Sequence, residues 1–449
     1  MTLSDSSPES SLLRTIDFRG RTLGYAELKR AVPRAEAGFE AASASVAAII
    51  DDVRTRGFAA LSELARKFDG VEQAHPRVPA AALNEALASL DGGVRSALEE
   101  SISRARTFTE EQRPRDVDVD FGPGATVRQK WIPVRRVGLY VPGGLAVYPS
   151  SVVMNAVPAI AAGVESIALA SPPQKEYGGQ PHPVILAAAA LLGIEEVYAI
   201  GGAQAVAAFA YGVEGAGEAE ALEPVDVVTG PGNVFVATAK RLVKGVVGID
   251  AEAGATEIAI LADDIARPGL IAADLISQAE HDPAAASVLV TDSPALAEQV
   301  QVEVAARTLQ TKHSGRVREA LTGRQSAVIL VDDMEQGSAV CDAYAAEHLE
   351  IHTRNAAEVA EGIRNAGAIF IGDYSPVSLG DYCAGSNHVL PTSGTASFAS
   401  GLNVTTFMRA VQLVNYDRNA LGEVSDHIKN LAEAEDLPAH GEAVSARFS

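Results

Sequence analysis

Two side chains able to bind a metal lie at the end of an apolar segment, in SQAEHDP at residues 277–283. Gln278 and His281 are three residues apart, so on a helix they share one face. The preceding LIAADLIS is apolar at helical spacing, and Pro283 predicts the helix end. An amide and an imidazole at the end of a buried helix indicate either a metal site or a pair that only contact each other.

Groups able to transfer protons lie near the predicted ends of other elements. Glu347 and His348 are adjacent in AAEHLEIH. At a helix end both can face a cleft, where they would supply a carboxylate that activates water and a general base. The alternative is a surface histidine beside a solvated carboxylate. Asp381 and His388 lie seven residues apart in GDYCAGSNH, a loop of small residues that suits ligands but is also compatible with a plain polar loop.

The C-terminal region and one cysteine offer weaker candidates. Glu435 and His440 lie in EDLPAH near the end of the chain, where a histidine is ordinarily exposed. Cys383 suggests a different chemistry, because a thiolate beside a nicotinamide can trap an aldehyde. The neighbouring carboxylate of Asp381 disfavours the thiolate form, so a small loop residue is the simpler interpretation of Cys383.

Strand and helix signals alternate in two successive runs, which predicts parallel sheets covered by helices. The first run extends from VGLYVPGG at 137–144 to VFVATAKRLV at 234–243, and the second from TEIAILADD at 256–264 to AIFIGDY at 368–374. Residues 39–112 show helical apolar stripes, 114–124 look like a polar bridge, and the last fifty residues look helical. The predicted fold class is α/β, with two tandem Rossmann-like domains with parallel sheets and helical N- and C-terminal segments.

Three glycine-rich turns follow strands of the first run: YVPGG (140–144), IGGAQA (200–205) and TGPGN (229–233). In open parallel sheets ligands bind beyond the carboxyl ends of strands, and helix N-termini attract phosphate. The dinucleotide fingerprint G-x-G-x-x-G is incomplete, since Phe235 stands in the place of its third glycine. Each turn alone is compatible with an ordinary tight connection, whereas three in one sheet favour a nucleotide-like ligand.

Composition restricts the function classes. The chain has 449 residues and a net charge of −22, which disfavours nucleic-acid binding. Two cysteines exclude a disulfide framework and suit a reducing compartment. No apolar run reaches the length of a membrane span, and the polar N-terminus MTLSDSSPESS carries no export signal. We therefore expect a cytoplasmic protein with no membrane or nucleic-acid partner.

Several of these segments together resemble the histidinol dehydrogenase family. They are SQAEHDP, AEHLEI, GDYSPVSLGDYCAGSNHVLPT, VGLYVPGG, GGAQAVAA and GPGNVFVATAKR, and the similarity extends from about residue 14 to 445. The resemblance implies a zinc-dependent homodimer that oxidises L-histidinol through L-histidinal to L-histidine, the last step of histidine biosynthesis, with two NAD. Zinc would orient the substrate, not generate hydroxide.

The resemblance also implies roles for individual residues. Gln278, His281 and Asp381 match zinc ligands, and His440 matches a fourth ligand that the family supplies from the partner subunit. Glu347 and His348 match the acid/base residues. Thr256, His388 and Glu435 match substrate contacts, and Tyr140, Gln204 and Asn233 match NAD contacts. The family's A-G-P-S/T-E reads AGATE here, so Ala255 replaces a proline and the loop loses a fixed φ.

The predicted domains are discontinuous. Residues 1–36 form an N-terminal segment, and 37–139 with 257–402 form a larger Rossmann-like domain that carries the metal and catalytic residues. Residues 140–256 form a second Rossmann-like domain that contacts NAD, and 403–449 form a helical tail that docks on the partner subunit. Two alternatives stay open: an aldehyde dehydrogenase with Cys383 as nucleophile, and a non-catalytic binding protein of two lobes.

Overall fold

The computed structural model describes residues 11–35, 38–143, 147–215, 220–252 and 254–449. Its elements form two parallel sheets, one antiparallel sheet and the helices around them, so the predicted α/β class with two parallel sheets is confirmed. Most of the predicted polar tail and Gly144 of the first glycine turn lie outside these residues. Within these ranges, no helix combines the length and the apolar character needed to cross a membrane.

The strands are, in chain order, β1 (Arg14–Asp17), β2 (Val117–Gly122), β3 (Ala125–Pro133), β4 (Arg136–Tyr140), β5 (Ser166–Ser171), β6 (Glu196–Ala199), β7 (Val227–Thr229), β8 (Gly248–Ile249), β9 (Glu257–Ala262), β10 (Ala286–Thr291), β11 (Ala327–Leu330), β12 (His348–His352), β13 (Ala368–Ile371) and β14 (Met408–Tyr416).

The α-helices are α1 (Tyr25–Ala31), α2 (Phe39–Arg56), α3 (Phe58–Leu64), α4 (Ala80–Ala88), α5 (Gly92–Glu111), α6 (Pro149–Ala162), α7 (Pro183–Leu191), α8 (Gly202–Tyr211), α9 (Val234–Val243), α10 (Pro268–Ala279), α11 (Pro294–Thr308), α12 (Ser314–Thr322), α13 (Met334–Tyr344), α14 (Ala356–Gly362), α15 (Val377–Tyr382), α16 (Arg418–Ala434) and α17 (Pro438–Ser445).

The first parallel sheet has the order β6-β5-β4-β7-β8. The chain builds outward from β4 to one edge and then crosses back to add β7 and β8 on the other side. Leu139 pairs with Thr229, so β4 and β7 end at the same edge. This is the switch point at which open α/β sheets bind ligands.

The second parallel sheet has the order β1-β11-β10-β9-β12-β13. Every residue of β9 is buried, as expected for a central parallel strand covered on both faces. His348 pairs with Ile258, so β9 and β12 begin at the same edge. Strand β1 was not predicted; it comes from the N-terminal segment and pairs with β11 at the sheet border.

Helices α2 to α5 cover the first sheet, which corrects the predicted grouping of residues 37–139 with 257–402. Helix α2 packs on α8 and α9, α4 packs on α7, and α5 packs on α6. The buried Val46 and Val53 of α2 lie in one core with Val206 and Val236. An apolar stripe shows that a helix is covered but does not show by which sheet. Strand β4 also begins at Arg136, ahead of the predicted boundary at 139/140.

A small antiparallel sheet of β2, β3 and β14 corrects two further predictions. The supposed polar bridge at 114–124 contains β2. The supposedly helical tail at 403–449 begins with a 3₁₀ turn at Val404–Phe407 and with β14, which pairs with β3 along nine residues. The side chains of β14 are mostly exposed on both faces, so no alternating apolar pattern marks it as a strand.

Candidate active site

The carboxyl edge of the first sheet carries two glycine turns directly in front of helices. Gly201 precedes α8, and the Gly230–Gly232 turn precedes α9. The free N–H groups at such helix starts attract phosphate. Gly230 has φ +119°, and a Cβ there would lie 2.0 Å from the Tyr140 carbonyl oxygen, so only glycine fits. This edge therefore suits a ligand that carries phosphate groups.

The three residues predicted to contact NAD lie at this edge. Tyr140 ends β4, and its hydroxyl accepts a hydrogen bond from the Gly202 N–H at 3.1 Å. Burial raises the pKa of Tyr140 to about 12. Gln204 is buried in the first turn of α8, and Asn233 caps α9 by accepting from two backbone N–H groups. Their contact with NAD stays a prediction.

A buried ion pair holds the Gly230 turn and was not predicted from the sequence. Lys240 contacts Asp250, and the two side chains are 2% and 3% exposed. Lys240 Nζ donates to the Gly230 carbonyl at 3.0 Å, and Asp250 Oδ2 accepts from the Gly230 N–H at 2.8 Å. The sequence could have indicated that Lys240 is buried, because Lys240 lies four residues after the apolar Val236 and so shares its helix face.

Glu347 and His348 lie at the amino edge of the second sheet, between the end of α13 and the start of β12. Both side chains are buried, which excludes the alternative of a solvated surface pair. The connection that presents them contains Ala345 in the left-handed region, with φ 49°. The chain thus leaves the helix and enters the strand within a few residues.

The backbone of residue 257 holds both of these side chains. The Glu257 N–H donates to Glu347 Oε2 at 2.9 Å, and His348 Nδ1 donates to the Glu257 carbonyl at 3.2 Å. With the proton on Nδ1, the lone pair of a neutral His348 is on Nε2. Nε2 is buried and has no hydrogen-bond partner among the described residues. It is therefore a proton acceptor without a protein donor.

Burial also sets the protonation of this pair. It raises the pKa of Glu347 to about 8, although hydrogen bonds from Thr256 and Glu257 favour the ionised form. Burial lowers the pKa of His348, with the Asp381 carboxylate acting in the opposite direction, so the imidazole is neutral near pH 7. A neutral imidazole and a carboxyl group that titrates near neutrality suit general acid/base chemistry.

Gln278, His281 and Asp381 lie at or just beyond the ends of α10 and α15. Asp381 is close enough to influence the pKa of both His281 and His348, and Gln278 contacts Thr256, so the three residues lie at the same edge. Gln278 Nε2 donates to Thr256 Oγ1 at 2.5 Å, so the amide oxygen remains available to bind a metal. Burial lowers the pKa of His281, and the nearby Asp381 carboxylate opposes this. A neutral imidazole, an amide oxygen and a carboxylate form a donor set that fits zinc.

Thr256 bridges the catalytic and metal-binding candidates. Its hydroxyl donates to Glu347 Oε2 at 2.5 Å and accepts from Gln278. A hydroxyl that already has both partners orients Glu347 and Gln278 relative to each other. Its predicted contact with the substrate stays a prediction.

His388 joins the two sheets at the site. Its Nδ1 lies 3.1 Å from the Asp381 carbonyl oxygen, and its Nε2 lies 3.3 Å from Ser151 Oγ at the start of α6. Helix α6 follows β4, so this contact connects the carboxyl edge of the first sheet with the amino edge of the second. Burial lowers the pKa of His388. The two edges therefore border one cleft.

A second cluster, in which Glu350 and His352 are buried and Asp274 is half-buried, was not predicted. Asp274, Glu350 and His352 each place a ligand atom within 4.8 Å of the others. His352 Nε2 lies 3.3 Å from Glu350 Oε2, and its Nδ1 lies 3.4 Å from Asp373. Burial and then Glu350 raise the pKa of Asp274 to about 7, so a shared proton reduces the charge of the two carboxyl groups. The sequence feature that could have indicated this cluster is the alternation of polar residues along β12, at His348, Glu350 and His352.

The two C-terminal candidates are not brought to the cleft within one chain. Glu435 follows α16 and His440 lies in α17; both side chains are exposed, and the two helices pack mainly on each other. In the described part of the chain, no hydrogen bond or ion pair connects them to the other candidates. Their predicted roles therefore depend on a second subunit.

Comparison with known proteins identifies the family. A family model described as histidinol dehydrogenase matches residues 32–448. Proteins named histidinol dehydrogenase from Thermobifida fusca and Mycobacterium tuberculosis H37Rv are 61% and 58% identical over 438 and 440 residues. They cover 98% and 97% of this chain and 98% of each relative. A crystal structure of histidinol dehydrogenase from Elizabethkingia anophelis has a TM-score of 0.88 at 31% identity and covers 98% of both chains. The resemblance found in the sequence is confirmed, and this chain belongs to the histidinol dehydrogenase family.

Proposed function

We propose that the chain catalyses the NAD-dependent oxidation of L-histidinol through L-histidinal to L-histidine, the last step of histidine biosynthesis. The name of the relatives supports the substrate. The observation that carries the chemistry is the buried His348 imidazole, which is neutral, fixed through Nδ1 and free at Nε2. Removal of a hydroxyl proton at a carbon that loses hydride needs such an acceptor.

In the first oxidation, His348 Nε2 accepts the hydroxyl proton of histidinol while the same carbon loses a hydride, for which bound NAD would be the acceptor. This leaves the aldehyde. The hydrogen bond from Nδ1 to the Glu257 carbonyl stabilises the protonated ring, because a carbonyl oxygen is an acceptor for imidazolium. Burial of the site keeps the aldehyde away from bulk water.

In the second oxidation, Glu347 takes a proton from water as the water oxygen attacks the aldehyde carbon. The hydrogen bonds from Thr256 and the Glu257 N–H both go to Oε2 in the described part of the chain, so Oε1 is the oxygen for water. The protonated His348 gives its proton to the aldehyde oxygen during this attack, which forms the neutral hydrate. His348 is then neutral again and accepts a hydroxyl proton from the hydrate as the carbon loses a second hydride, for which a second NAD would be the acceptor. The product is the carboxylic acid.

Zinc is proposed at Gln278, His281 and Asp381, with the partner subunit's His440 as the fourth ligand. When bound, it would orient the imidazole and amino nitrogens of the substrate and favour the ionised form of nearby carboxyl groups. The fit rests on the neutral imidazole of His281 and on the amide orientation that leaves the Gln278 oxygen as a donor. His388 and the partner subunit's Glu435 would contact histidinol.

NAD is proposed at the carboxyl edge of the first sheet. Tyr140, Gln204 and Asn233 surround the crevice in front of α8 and α9, whose N–H groups suit the pyrophosphate. A cytoplasmic location is proposed as well, because the two oxidations consume NAD and supply an amino acid for protein synthesis.

One assay tests the proposal: NADH formation from histidinol, before and after treatment with a chelator. We expect turnover that depends on the metal. Activity lost on thiol alkylation but kept after chelation would instead favour an aldehyde dehydrogenase that uses Cys383. An absence of turnover with bound histidinol would favour the non-catalytic alternative.

Mixed dimers test the proposal that two subunits share each site. A dimer of a His348→Ala chain and a His440→Ala chain has one site with both defects and one with neither. If subunits pair at random, activity recovers to about a quarter of wild type. If His440 acts within its own chain, every site has one defect and nothing recovers, even when subunit exchange is confirmed by mass spectrometry.

A further inference from the structure

The side chain of Glu257 lies in a buried cluster that no step of the reaction uses. It is 2% exposed, and its Oε1 lies 3.9 Å from Arg34 Nη1. Neither of these two atoms has a hydrogen-bond partner among the described residues. The Tyr344 hydroxyl lies 3.5 Å from the other carboxylate oxygen. A buried carboxylate is unfavourable unless a cation faces it, and Arg34 is the cation here.

Arg34 fixes the end of the helix that leads to the catalytic pair. Its Nη2 donates to the carbonyl of Ala343 at 3.1 Å and to that of Tyr344. These carbonyls belong to the last turn of α13, where the backbone lacks partners within the helix. The guanidinium also lies 4.8 Å from the centre of the Tyr344 ring. Glu347 is the third residue after this end. By fixing the end of α13, Arg34 therefore helps to set the position of the Glu347 backbone.

The same pair holds the turn that carries Thr256. Burial raises the pKa of Glu257 to about 7, whereas Arg34 and backbone groups of Gly394 and Ser393 favour its ionised form. A Cβ at Gly394 would lie 2.7 Å from Arg34 Nη2. In the same loop, Thr392 Oγ1 accepts from the N–H of Gly254 at 2.6 Å. The loop at 392–394 therefore packs on Arg34 and Glu257 on one side and binds the segment before β9 on the other.

We propose that Arg34 and Glu257 are a positioning pair: they hold the backbone of residue 257 against the end of α13, so that Glu347 and His348 keep the geometry needed for proton transfer. This inference rests on the proposed function of Glu347 and His348. Neither member of the pair touches the transferred proton, so their effect passes through two backbone contacts, the Glu257 N–H and the Glu257 carbonyl.

Kinetics of Arg34→Met and Glu257→Gln test the pair. A misplacement of about 1 Å lowers a rate by about a hundredfold, so we expect kcat to fall about ten- to a hundredfold for both oxidations. The KM values for histidinol and NAD should change by less than about threefold, because a loss confined to the transition state leaves substrate binding intact. If Arg34→Met does not accumulate as folded protein, Arg34→Lys replaces it, with a smaller loss expected.

Arg136→Met is the matched control. Arg136 has a side chain only 4% exposed and pairs with Glu196, but it lies at the start of β4, away from the cleft. We expect it to lose stability without loss of kcat. The double variant Arg34→Met with Glu257→Gln removes both buried charges. Its fold-loss of kcat should therefore be smaller than the product of the fold-losses of the two single variants.

A measurement without turnover separates this inference from the proposed function. Nitrogen-15 NMR of the imidazoles, assigned with His348→Gln, should show His348 protonated at Nδ1 in the wild type and a mixture of tautomers in Glu257→Gln. Wild-type kcat and an unchanged His348 signal in the variants would overturn the positioning pair, as would an equal loss of kcat in Arg136→Met. If the wild type does not oxidise histidinol, the proposed function fails, and the NMR result still decides the pair.

Discussion

Replacement of Lys240 by Met tests whether a buried ion pair holds the Gly230 turn. Met keeps the apolar stem of the lysine but removes its charge, its contact with Asp250 and its hydrogen bond to the Gly230 carbonyl. Asp250 then remains as a carboxylate only 3% exposed, and it keeps the hydrogen bond from the Gly230 N–H at 2.8 Å. The charge that remains is therefore largely uncompensated.

The expected magnitude follows from burial. Removal of one partner of a buried pair lowers the free energy of unfolding by about 3–5 kcal/mol. Lys244 is the matched control, because it follows α9 directly, four residues after Lys240, but exposes 65% of its side chain and stands 3.7 Å from Glu252. An exposed pair contributes about 0–1 kcal/mol. Lys240→Met should therefore lower the free energy of unfolding by at least about 2 kcal/mol more than Lys244→Met.

Urea unfolding followed by circular dichroism measures this difference. The midpoint for Lys240→Met should shift well below that for Lys244→Met at an unchanged slope, because the same surface is exposed on unfolding. The KM for NAD should rise in Lys240→Met and not in the control, since the Gly230 turn loses its anchor. Addition of Asp250→Asn should recover part of the stability by removing the second charge.

Two outcomes would refute this reasoning. Equal midpoints for the two lysine variants would mean that the pair contributes no more than an exposed one. A double variant less stable than Lys240→Met would mean that Asp250 is stabilising by itself and that no uncompensated charge was left.

Dialysis against a strong chelator should abolish NADH formation and added zinc should restore it; full activity in metal-free protein would contradict the zinc site. In single-turnover assays Glu347→Gln should slow the oxidation of histidinal more than that of histidinol, whereas His348→Ala should slow both; equal losses for Glu347→Gln would indicate a structural role. Burial raises the pKa of Glu347 to about 8, and bound zinc would lower it again. The rate of histidinal oxidation should therefore rise with pH at or below about pH 8, as the carboxyl group loses its proton. A rise that persists in Glu347→Gln would assign it to another group.

The two parallel sheets could be predicted because their strands carry a local signal. Central strands such as β9 are buried on both faces and read as continuous apolar runs between turns. Which helices pack on which sheet could not be predicted in the same way. The stripe on α2 is equally compatible with either sheet, and the exposed β14 has no apolar face to reveal it.

In the candidate site, too, some residues could be predicted from local sequence patterns and others could not. Gln278 and His281 are three residues apart, so their shared helix face follows from helix geometry. Asp381 and Ser151 reach the cleft only through the fold. The loop of small residues made Asp381 a candidate ligand, but only the family resemblance matched it to a zinc ligand. Arg34 and Glu257 had no signal of this kind, because a glutamate at the head of a strand and an arginine in a segment without periodicity both look like solvated residues.

The two sheets present opposite edges to the cleft, and the chemistry at each edge follows from helix direction. At the first sheet α8 and α9 begin at the cleft, and the positive end of a helix dipole favours the pyrophosphate of NAD. At the second sheet β9 and β12 begin there, so α10 and α13, which run against the strands, end there, and their carbonyl ends favour a cation. The contact between Ser151 and His388 joins the two edges. Two sheets of similar strand order thus set an edge that favours phosphate against an edge that favours a cation, which suits the proposed transfer of hydride from a metal-held alcohol to NAD.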